Sequence, residues 1–185
     1  HKFFKNLGEE PVIYDRYITG ESRNQIRNYL EKQGYYDAEV SDTVFFKGKK
    51  ATVRYTISAK EPYVINHVDY VVNDSLLKPY FYADTAGLPV GKGEVFSVEL
   101  LQKERNMIES NLRNNGFYRF SKDFVNFIAD TLGKGRYVDL TVEVDPYMVR
   151  QGEDEVKTSP HQRYQIGSVY IFPDYNSKEA IANRQ

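Results

Sequence analysis

The apolar and polar positions change twice from helical to extended spacing, in the same order each time. Ile26 and Leu30 lie four residues apart, which places them on one face of a helix. A glycine then stops the pattern, and two aromatic residues lead into alternation. The same succession returns in residues 108–118. The shared frame, I-x3-L-x3-G-[YF]-Y, comprises Ile26, Leu30, Gly34, Tyr35 and Tyr36, and then Ile108, Leu112, Gly116, Phe117 and Tyr118.

Both helices have plausible ends. Gly34 and Gly116 fit the C′ position, where left-handed backbone ends a helix at low cost. Ser22 with Gln25 resembles a capping box for the first helix, and Ser97 is suited to cap the second. We expect the second helix to bury Leu101, Ile108 and Leu112.

After each glycine, the pattern predicts a β-hairpin. The runs TVRYTISA and YVDLTVEVD alternate strictly, as strands buried on one face do. A weaker extended run precedes each of them, at residues 38–46 and 120–128, with a polar turn between the two strands.

A further strand is predicted after each hairpin. Residues 62–72 match residues 163–174, and the matched positions are Tyr63 with Tyr164, Ile65 with Ile166, and Val68 with Val169. Because we also predict a helical segment between this strand and the capped helix, the order of elements is strand, helical segment, helix, strand, strand, and then again.

This order predicts an α+β fold made of tandem β-α-α-β-β modules, each a small three-stranded mixed sheet with two helices on one face. The predicted boundaries are a module lacking its first strand at 1–60, a complete module at 61–147, a polar loop at 148–161, and the first strand and start of a third module at 162–185. Because the loop is long, we expect the third module to swing more freely than the second.

Composition agrees with a folded, soluble chain, since 41% of the residues are hydrophobic and 28% charged. The net charge is −1 with both signs interspersed, so the sequence offers no basic face for nucleic acid. The 16 Tyr and 11 Phe suit sheets and half-exposed surfaces. The absence of cysteine excludes disulfides, thiolate catalysis and cysteine zinc sites.

Residues that could carry chemistry are scattered. The three histidines have no ligand spacing and no serine or acid at a catalytic spacing. The two GKG stretches lack the rest of a phosphate loop, and the acidic run at 153–155 lacks the alternating ligands of a calcium loop. We therefore predict no cofactor, no metal and no enzymatic activity.

The repeat resembles POTRA domains, the β-α-α-β-β modules that precede the membrane barrel in the BamA/TamA family of bacterial outer-membrane assembly factors (surface antigen family). The stretches that carry the resemblance are L-x3-GYYDAEV, ATVRYTISAKEPYVINHVDY, L-x3-GFY and RYQIGSVYIF. The resemblance implies a periplasmic location, a C-terminal membrane barrel in the parent chain, and unfolded outer-membrane proteins and periplasmic accessory proteins as partners. We expect the sequence to be a fragment of such a protein.

The resemblance also implies that the first strand of each hairpin lies at a sheet edge. An edge strand presents unpaired backbone groups to which another strand can add. The candidate partner-binding residues are Val40, Val44, Phe45 and Phe46 in the first hairpin and Phe124, Val125, Phe127 and Ile128 in the second. Glu39, Asp42 and Asp123 could protect these edges. The alternative is that the apolar residues serve the core and the module junctions.

Three other functions remain open from the sequence. The first is a related module of a two-partner-secretion transporter, which exports one dedicated protein. The second is a structural scaffold that docks accessory proteins without touching clients. The third is an enzyme with a pocket at a module junction.

Overall fold

The computed structural model describes residues 13–131, 133, 135–150 and 156–171. The first unit, residues 13–60, contains one helix and one antiparallel hairpin. These elements are helix α1 (Arg16–Lys32) and strands β1 (Glu39–Lys47) and β2 (Lys50–Ser58).

The second unit, residues 61–147, contains three strands and two helices. Their bounds are β3 (Val64–Val72), α2 (Lys78–Ala83), α3 (Val98–Asn114), β4 (Val125–Asp130) and β5 (Tyr137–Val144). The sheet order is β3-β5-β4, with β3 parallel and β4 antiparallel to the central β5. The prediction of an α+β chain of β-α-α-β-β type is confirmed.

The core of the described residues lies in the second unit. Alternate residues of β5 are fully buried, as a central strand with one covered face requires. Helix α2 contributes Phe81, and α3 contributes Ile108 and Leu112, to the same cluster as Leu140 and Val142 of β5. Both helices therefore cover the face of the sheet to which these β5 residues point.

The helix starts agree with the sequence in one case and differ in the other. The Ser97 hydroxyl accepts the N–H of Leu100 at 3.2 Å, as expected of an N-cap. The capping box at Ser22 and Gln25 is wrong, because α1 begins earlier. Its N-cap is Asp15, and Ser22 donates its hydroxyl to the backbone of the preceding turn.

The two glycine corners share one geometry. Gly34 has φ +94° and Gly116 has φ +96°. The N–H of Tyr35 donates to the carbonyl of Leu30 at 2.9 Å, and that of Gly34 to Glu31 at 3.0 Å. Equivalent bonds close the end of α3, from Phe117 to Leu112 at 3.1 Å and from Gly116 to Arg113 at 3.0 Å. These pairs are the two bonds of the Schellman motif, which satisfy the last carbonyls of each helix.

The segment predicted as a polar loop at 148–161 contains strands. Strands β6 (Tyr147–Arg150) and β7 (Val156–Ser159) form an antiparallel ribbon. Each strand has only four residues, too few for its alternation to stand out in a polar stretch. The described parts of this segment, residues 148–150 and 156–159, are therefore strands rather than loop.

The strand predicted at the start of 162–185 is also absent where the structure describes it. Residues 160–171 have no regular secondary structure, and 172–185 lie outside the described residues. A strand needs a neighbour, and no strand of the described chain lies beside this segment. Its apolar residues therefore have the spacing of a strand, but none of the described sheets includes it.

The first strand of the second hairpin begins later than predicted. Residues 122–124 form one turn of 3-10 helix, and β4 starts at Val125 rather than at residue 120. Ser121 accounts for the difference, because its hydroxyl accepts the N–H of Asp123 at 3.3 Å and caps the turn.

Candidate protein-binding site

The three-stranded sheet has one covered edge and one open edge. Residues 93–96 run along the outer side of β3, where the N–H of Ile65 donates to the carbonyl of Glu94 at 2.9 Å. The N–H of Phe96 likewise donates to the carbonyl of Tyr63 at 2.9 Å. On the opposite side, β4 pairs with β5 alone among the described strands. The open edge is therefore that of β4.

The register of β4 identifies which backbone groups face outward. The carbonyl of Phe124 accepts the N–H of Asp145 at 2.9 Å, so Phe124 turns its backbone toward the β5 side. Residues two apart in an antiparallel pair face the same way. The backbone groups of Val125, Phe127 and Ala129 consequently point away from β5, toward any added strand.

The predicted β4 residues divide into core and surface. Val125 is fully buried, and Phe124 and Phe127 are half-buried and pack against the core cluster. Ile128 is 54% exposed. The guanidinium of Arg105 lies 5.0 Å from the centre of the Phe127 ring, which places a cation beside the strand. Ile128 is the one predicted β4 side chain that projects into solvent.

The predicted β1 residues divide in the same way. Val40 and Val44 are half-buried, whereas Phe45 is 49% and Phe46 68% exposed. Arg54 of β2 stacks on Phe45 at 5.1 Å. The β1 residues and the β4 residues lie in separate sheets, so the structure does not join them into one site.

The acidic residues predicted to protect the edges have other partners. Asp42 accepts from Arg23 of α1 at 2.9 Å and so ties the helix to the sheet. Glu39 pairs with Lys60, whose hydrogen bond and charge lower the pKa of that carboxyl. Asp123 lies in the 3-10 turn and accepts from Ser121 at 2.9 Å.

The first glycine corner forms the junction between the two units. The carbonyl of Gly34 accepts the N–H of Tyr63 at 2.9 Å. The rings of Tyr36 and Tyr63 meet edge to face with centroids 5.4 Å apart. Arg136 donates to Asp37 at 2.7 Å and to the carbonyl of Glu61 at 2.8 Å. The end of one helix thus holds the start of the next sheet.

The second glycine corner repeats this junction. The carbonyl of Gly116 accepts the N–H of Tyr164 at 2.7 Å, and the rings of Tyr118 and Tyr164 meet edge to face at 6.5 Å. Arg163 donates to the carbonyl of Asn115 at 2.8 Å. The glycine and the second aromatic residue of each repeat, Gly34 with Tyr36 and Gly116 with Tyr118, therefore lie at the two junctions.

A buried aspartate–histidine pair was not foreseen from the sequence. Both ring Nδ1 and backbone N–H of His161 lie close to Asp74 Oδ2, at 2.8 and 2.7 Å. The N–H groups of Leu76 and Leu77 donate to the other oxygen. Burial alone would raise the pKa of Asp74, but together these hydrogen bonds outweigh it and hold that pKa below its usual value.

Three aromatic rings enclose His161. The ring centroids of Tyr147, Phe124 and Phe120 lie 4.3, 4.7 and 5.1 Å from that of His161. The histidine therefore anchors the chain that follows the β6–β7 ribbon to the second unit. Asp74 and His161 are 87 residues apart, and their spacing carries no signal by which sequence reasoning could have paired them.

A second buried carboxyl, that of Glu104, lies within the core. It accepts the hydroxyl of Tyr70 at 2.8 Å and the N–H of Val90 at 3.0 Å. Burial raises the pKa of Glu104, and burial together with this carboxylate raises the pKa of Tyr70 well above its usual range. Glu104 thus fastens α3 to β3 and to the segment that precedes α3.

The described residues contain no group of three or more histidine, aspartate or glutamate side chains arranged to hold a metal. No helix among them is long and apolar enough to cross a membrane. The Asp74–His161 pair has the acid and base of a catalytic triad, but no described residue takes the place of the nucleophile, because His161 Nε2 is buried and has no hydrogen-bond partner among the described residues.

No family model and no curated protein matches the chain. Solved structures do match part of the chain. BamA from Haemophilus ducreyi lacking POTRA domains 1–3 is similar over 74% of this chain and 24% of its own, with 17% identity and a TM-score of 0.40. POTRA domains 3–5 of Haemophilus influenzae BamA are similar over 71% of this chain and 48% of their own, with 17% identity and a TM-score of 0.37.

The first three POTRA domains of Omp85 from Anabaena are similar over 70% of this chain and 51% of their own, with 15% identity and a TM-score of 0.36. The chain spans about half or less of the length of each of these structures. The POTRA domains of BamA-like proteins are the modules that the sequence motifs indicate.

Proposed function

We propose that the chain is a POTRA region on the periplasmic side of the bacterial outer membrane. It takes part in the assembly or translocation of outer-membrane proteins through protein contacts rather than catalysis. In this proposal, extended segments of unfolded clients add to the open edge of β4, and the edge of β1 offers a second, weaker position.

The observation that carries the proposal is the open edge of β4. Its outward amide and carbonyl groups lie at Val125, Phe127 and Ala129, on a strand that pairs along its whole length with the buried β5. Backbone pairing recognises an extended chain without demanding one side-chain sequence. Clients that become β-barrels consist of such segments, so one edge can serve many of them.

The side chains on β4 suit clients with alternating character. Ile128 offers an exposed apolar contact, and the next residues, Ala129 and Asp130, are small or charged. A barrel strand alternates apolar and polar residues. Its apolar side would meet Ile128, whereas its polar side would remain in water.

Amide hydrogen exchange with a synthetic barrel-strand peptide tests edge pairing. In the free protein, the amides of Phe127 and Ala129 should exchange quickly, whereas those of Asn126 and Ile128 should be protected by β5. On binding, Phe127 and Ala129 should become at least tenfold slower. A scrambled peptide of the same composition is the control, and unchanged exchange at both amides would refute edge pairing.

Proline provides the matched variant. Ala129→Pro removes one outward N–H and should weaken peptide binding, whereas Ala129→Ser retains that N–H and should not. A proline at Thr43 or Asn126 would be a poor test, because the register turns the backbone of Asn126 toward β5 and that of Thr43 toward β2.

A photo-crosslinker at Ile128 in the parent protein distinguishes the alternatives. Crosslinks to many nascent outer-membrane proteins support the proposal. Crosslinks to one exported protein favour a two-partner-secretion transporter, and crosslinks to accessory proteins alone favour a scaffold. The same crosslinker at Gln102, an exposed position on α3, measures background.

A further inference from the structure

The linker between the two units can change direction at few positions. It comprises residues 59–63, between the end of β2 and the start of β3. Pro62 fixes its own φ and confines the backbone of Glu61 to extended conformations. The remaining conformational freedom of the linker therefore lies mostly at Ala59 and Lys60.

Lys60 has a backbone conformation that its side chain disfavours. Its φ is +58°, and it is the single non-glycine residue in the described part of the chain with positive φ. Left-handed backbone brings the Cβ of an L-residue too close to the following carbonyl oxygen. A strained residue of this kind persists only where the surrounding contacts hold it in place.

Charged side chains make such contacts on both sides of Lys60. The ammonium group of Lys60 pairs with Glu39 of the first unit. On the other side, Arg136 donates to the carbonyl of Glu61 at 2.8 Å and to Asp37 at 2.7 Å. Since Arg136 directly precedes β5, its guanidinium connects the second sheet with the linker and with the helix corner of the first unit.

We propose that Arg136 and Asp37 form an ionic latch that fixes the angle between the two units, and that Lys60 is the hinge that the latch holds. When the latch opens, the backbone of Lys60 relaxes and the first unit turns relative to the second. This inference does not depend on the proposed function, because it concerns the joint between the units and not the edge of β4.

The uncharged contacts of the junction form the pivot of this motion. The N–H of Tyr63 donates to the carbonyl of Gly34, and the rings of Tyr36 and Tyr63 meet edge to face. Neither contact involves a charged group, so both remain when the latch opens. The two units therefore stay joined while the angle between them changes.

The exposure of the latch makes it sensitive to salt. The side chains of Arg136 and Asp37 are 34% and 42% exposed, so dissolved ions can reach both. The screening length falls from about 10 Å at 0.1 M salt to about 3 Å at 1 M. Because the strain at Lys60 and the gain from a half-exposed ion pair are both small, screening can shift the balance from the closed to the open state.

Distances between two spin labels, measured by pulsed electron paramagnetic resonance, test the latch. The chain contains no cysteine that would interfere with labelling. Asn28→Cys on α1 and Gln102→Cys on α3 place one label at an exposed position of each unit. Raising the salt concentration from about 0.1 M to about 1 M should at least double the width of the distance distribution.

Arg136→Gln should give the broad distribution already at low salt and should remove the response to salt. Asp37→Asn breaks the same ion pair without changing the second unit and should have the same effect. Arg113→Gln is the matched control, because Arg113 pairs with Glu109 within α3. This control should keep the narrow distribution and the salt response of the unmodified chain.

A narrow distribution in both latch variants at low salt, or a salt response that both retain, would overturn the proposal. Amide exchange provides the second measurement. The amides of β5 and of Tyr63 should stay protected in Asp37→Asn, because the second unit remains folded and the pivot remains closed. Loss of protection at Tyr63 would show that the junction separates as a whole, which contradicts a latch that opens about a pivot.

Discussion

The two units carry the same sequence frame, yet within the part of the chain that the structure describes, the hydrophobic core lies in the second unit. Leu112 and Phe117 of the second unit are fully buried, whereas Leu30 and Tyr35, their counterparts in the first, are half-buried. Val142 is fully buried, but its counterpart Ile57 is 50% exposed. Among the described residues of the first unit, Ala38 is the single buried apolar side chain.

The difference comes from β3 and α2, which have no described counterpart in the first unit. In the second unit, these elements place Ile65, Leu77 and Phe81 against the other core residues. In the first unit, one helix and one hairpin leave the corresponding residues partly exposed. A two-stranded hairpin has little stability by itself and needs a third strand or more helix to cover its face. The repeated frame therefore gives both units the same corner, and the burial of its apolar residues in the second unit depends on β3 and α2.

The largest contrast is expected from truncating the matched aromatic residues. Phe117→Ala should destabilise the second unit by about 4 kcal/mol, because it empties a fully packed position. Tyr35→Ala should cost the first unit about 1 kcal/mol, because the ring is half in water. Urea unfolding followed by amide exchange in β5 and β2 measures both, and equal losses would contradict the contrast between the two units.

The glycine corners should be the next most sensitive positions. Gly34→Ala should cost about 3 kcal/mol, because left-handed backbone penalises a side chain by roughly 1 to 2 kcal/mol and the added Cβ would lie 2.6 Å from Val95 Cγ1 and 2.8 Å from the carbonyl oxygen of Phe96. Gly48→Ala is the control, since Gly48 has φ +60° and open space around it.

The control should lose about 1 kcal/mol, so the difference between the two variants measures the close approach at the junction. Thermal unfolding of both variants provides the measurement. If Gly48→Ala were as harmful as Gly34→Ala, backbone conformation alone would explain the corner.

The buried pair, which has no described counterpart in the first unit, should make the stability of the second unit depend on pH. Asp74→Asn should cost about 2 kcal/mol at pH 7, because one oxygen can no longer accept from His161 or from the two amides. Because the folded state lowers the pKa of Asp74, its contribution is complete above the unfolded value near 3.9 and is lost as the pH falls through the lower folded value.

The stability difference between the unmodified chain and Asp74→Asn should therefore be constant from about pH 5 to 7 and shrink below pH 4. Urea unfolding at several pH values, followed by amide exchange in β5, checks this dependence. A difference that grows on acidification would show that the sign of the pKa shift is wrong.

The smallest effect is expected from breaking the ion pair that joins the helix to the hairpin in the first unit. The Arg23–Asp42 bridge joins α1 to β1, and Arg23 is 43% exposed. A double-mutant cycle with Arg23→Gln and Asp42→Asn should give a coupling of about 0.5 kcal/mol that decreases in high salt. A coupling above about 2 kcal/mol would mean that this bridge is shielded from water.

Much of the fold was predictable because its signals are local. Alternation in TVRYTISA and YVDLTVEVD located β2 and β5, and the glycines located the helix ends. Element starts were less predictable. Asp15 competes with Ser22 as a cap, and Ser121 converts the expected beginning of β4 into a 3-10 turn.

The candidate site was predictable only in part. That β4 forms an edge could be predicted from the resemblance, but which of its amides face outward depends on a pairing register that no sequence pattern reveals. The Asp74–His161 pair could not be foreseen for the same reason, since folding joins two distant polar segments. The partner-binding role of the eight predicted edge residues stays a prediction: Val40, Val44, Phe45, Phe46, Phe124, Val125, Phe127 and Ile128.

The carbonyl group of each left-handed glycine accepts a hydrogen bond from the segment that follows the hairpin. Gly34 accepts the N–H of Tyr63, and Gly116 accepts the N–H of Tyr164. The coupling thus belongs to main-chain atoms, a pair of tyrosine rings and one arginine at each corner, Arg136 or Arg163. A unit that begins with the same tyrosine can therefore be joined to any helix that ends at such a glycine, whatever core each of them has.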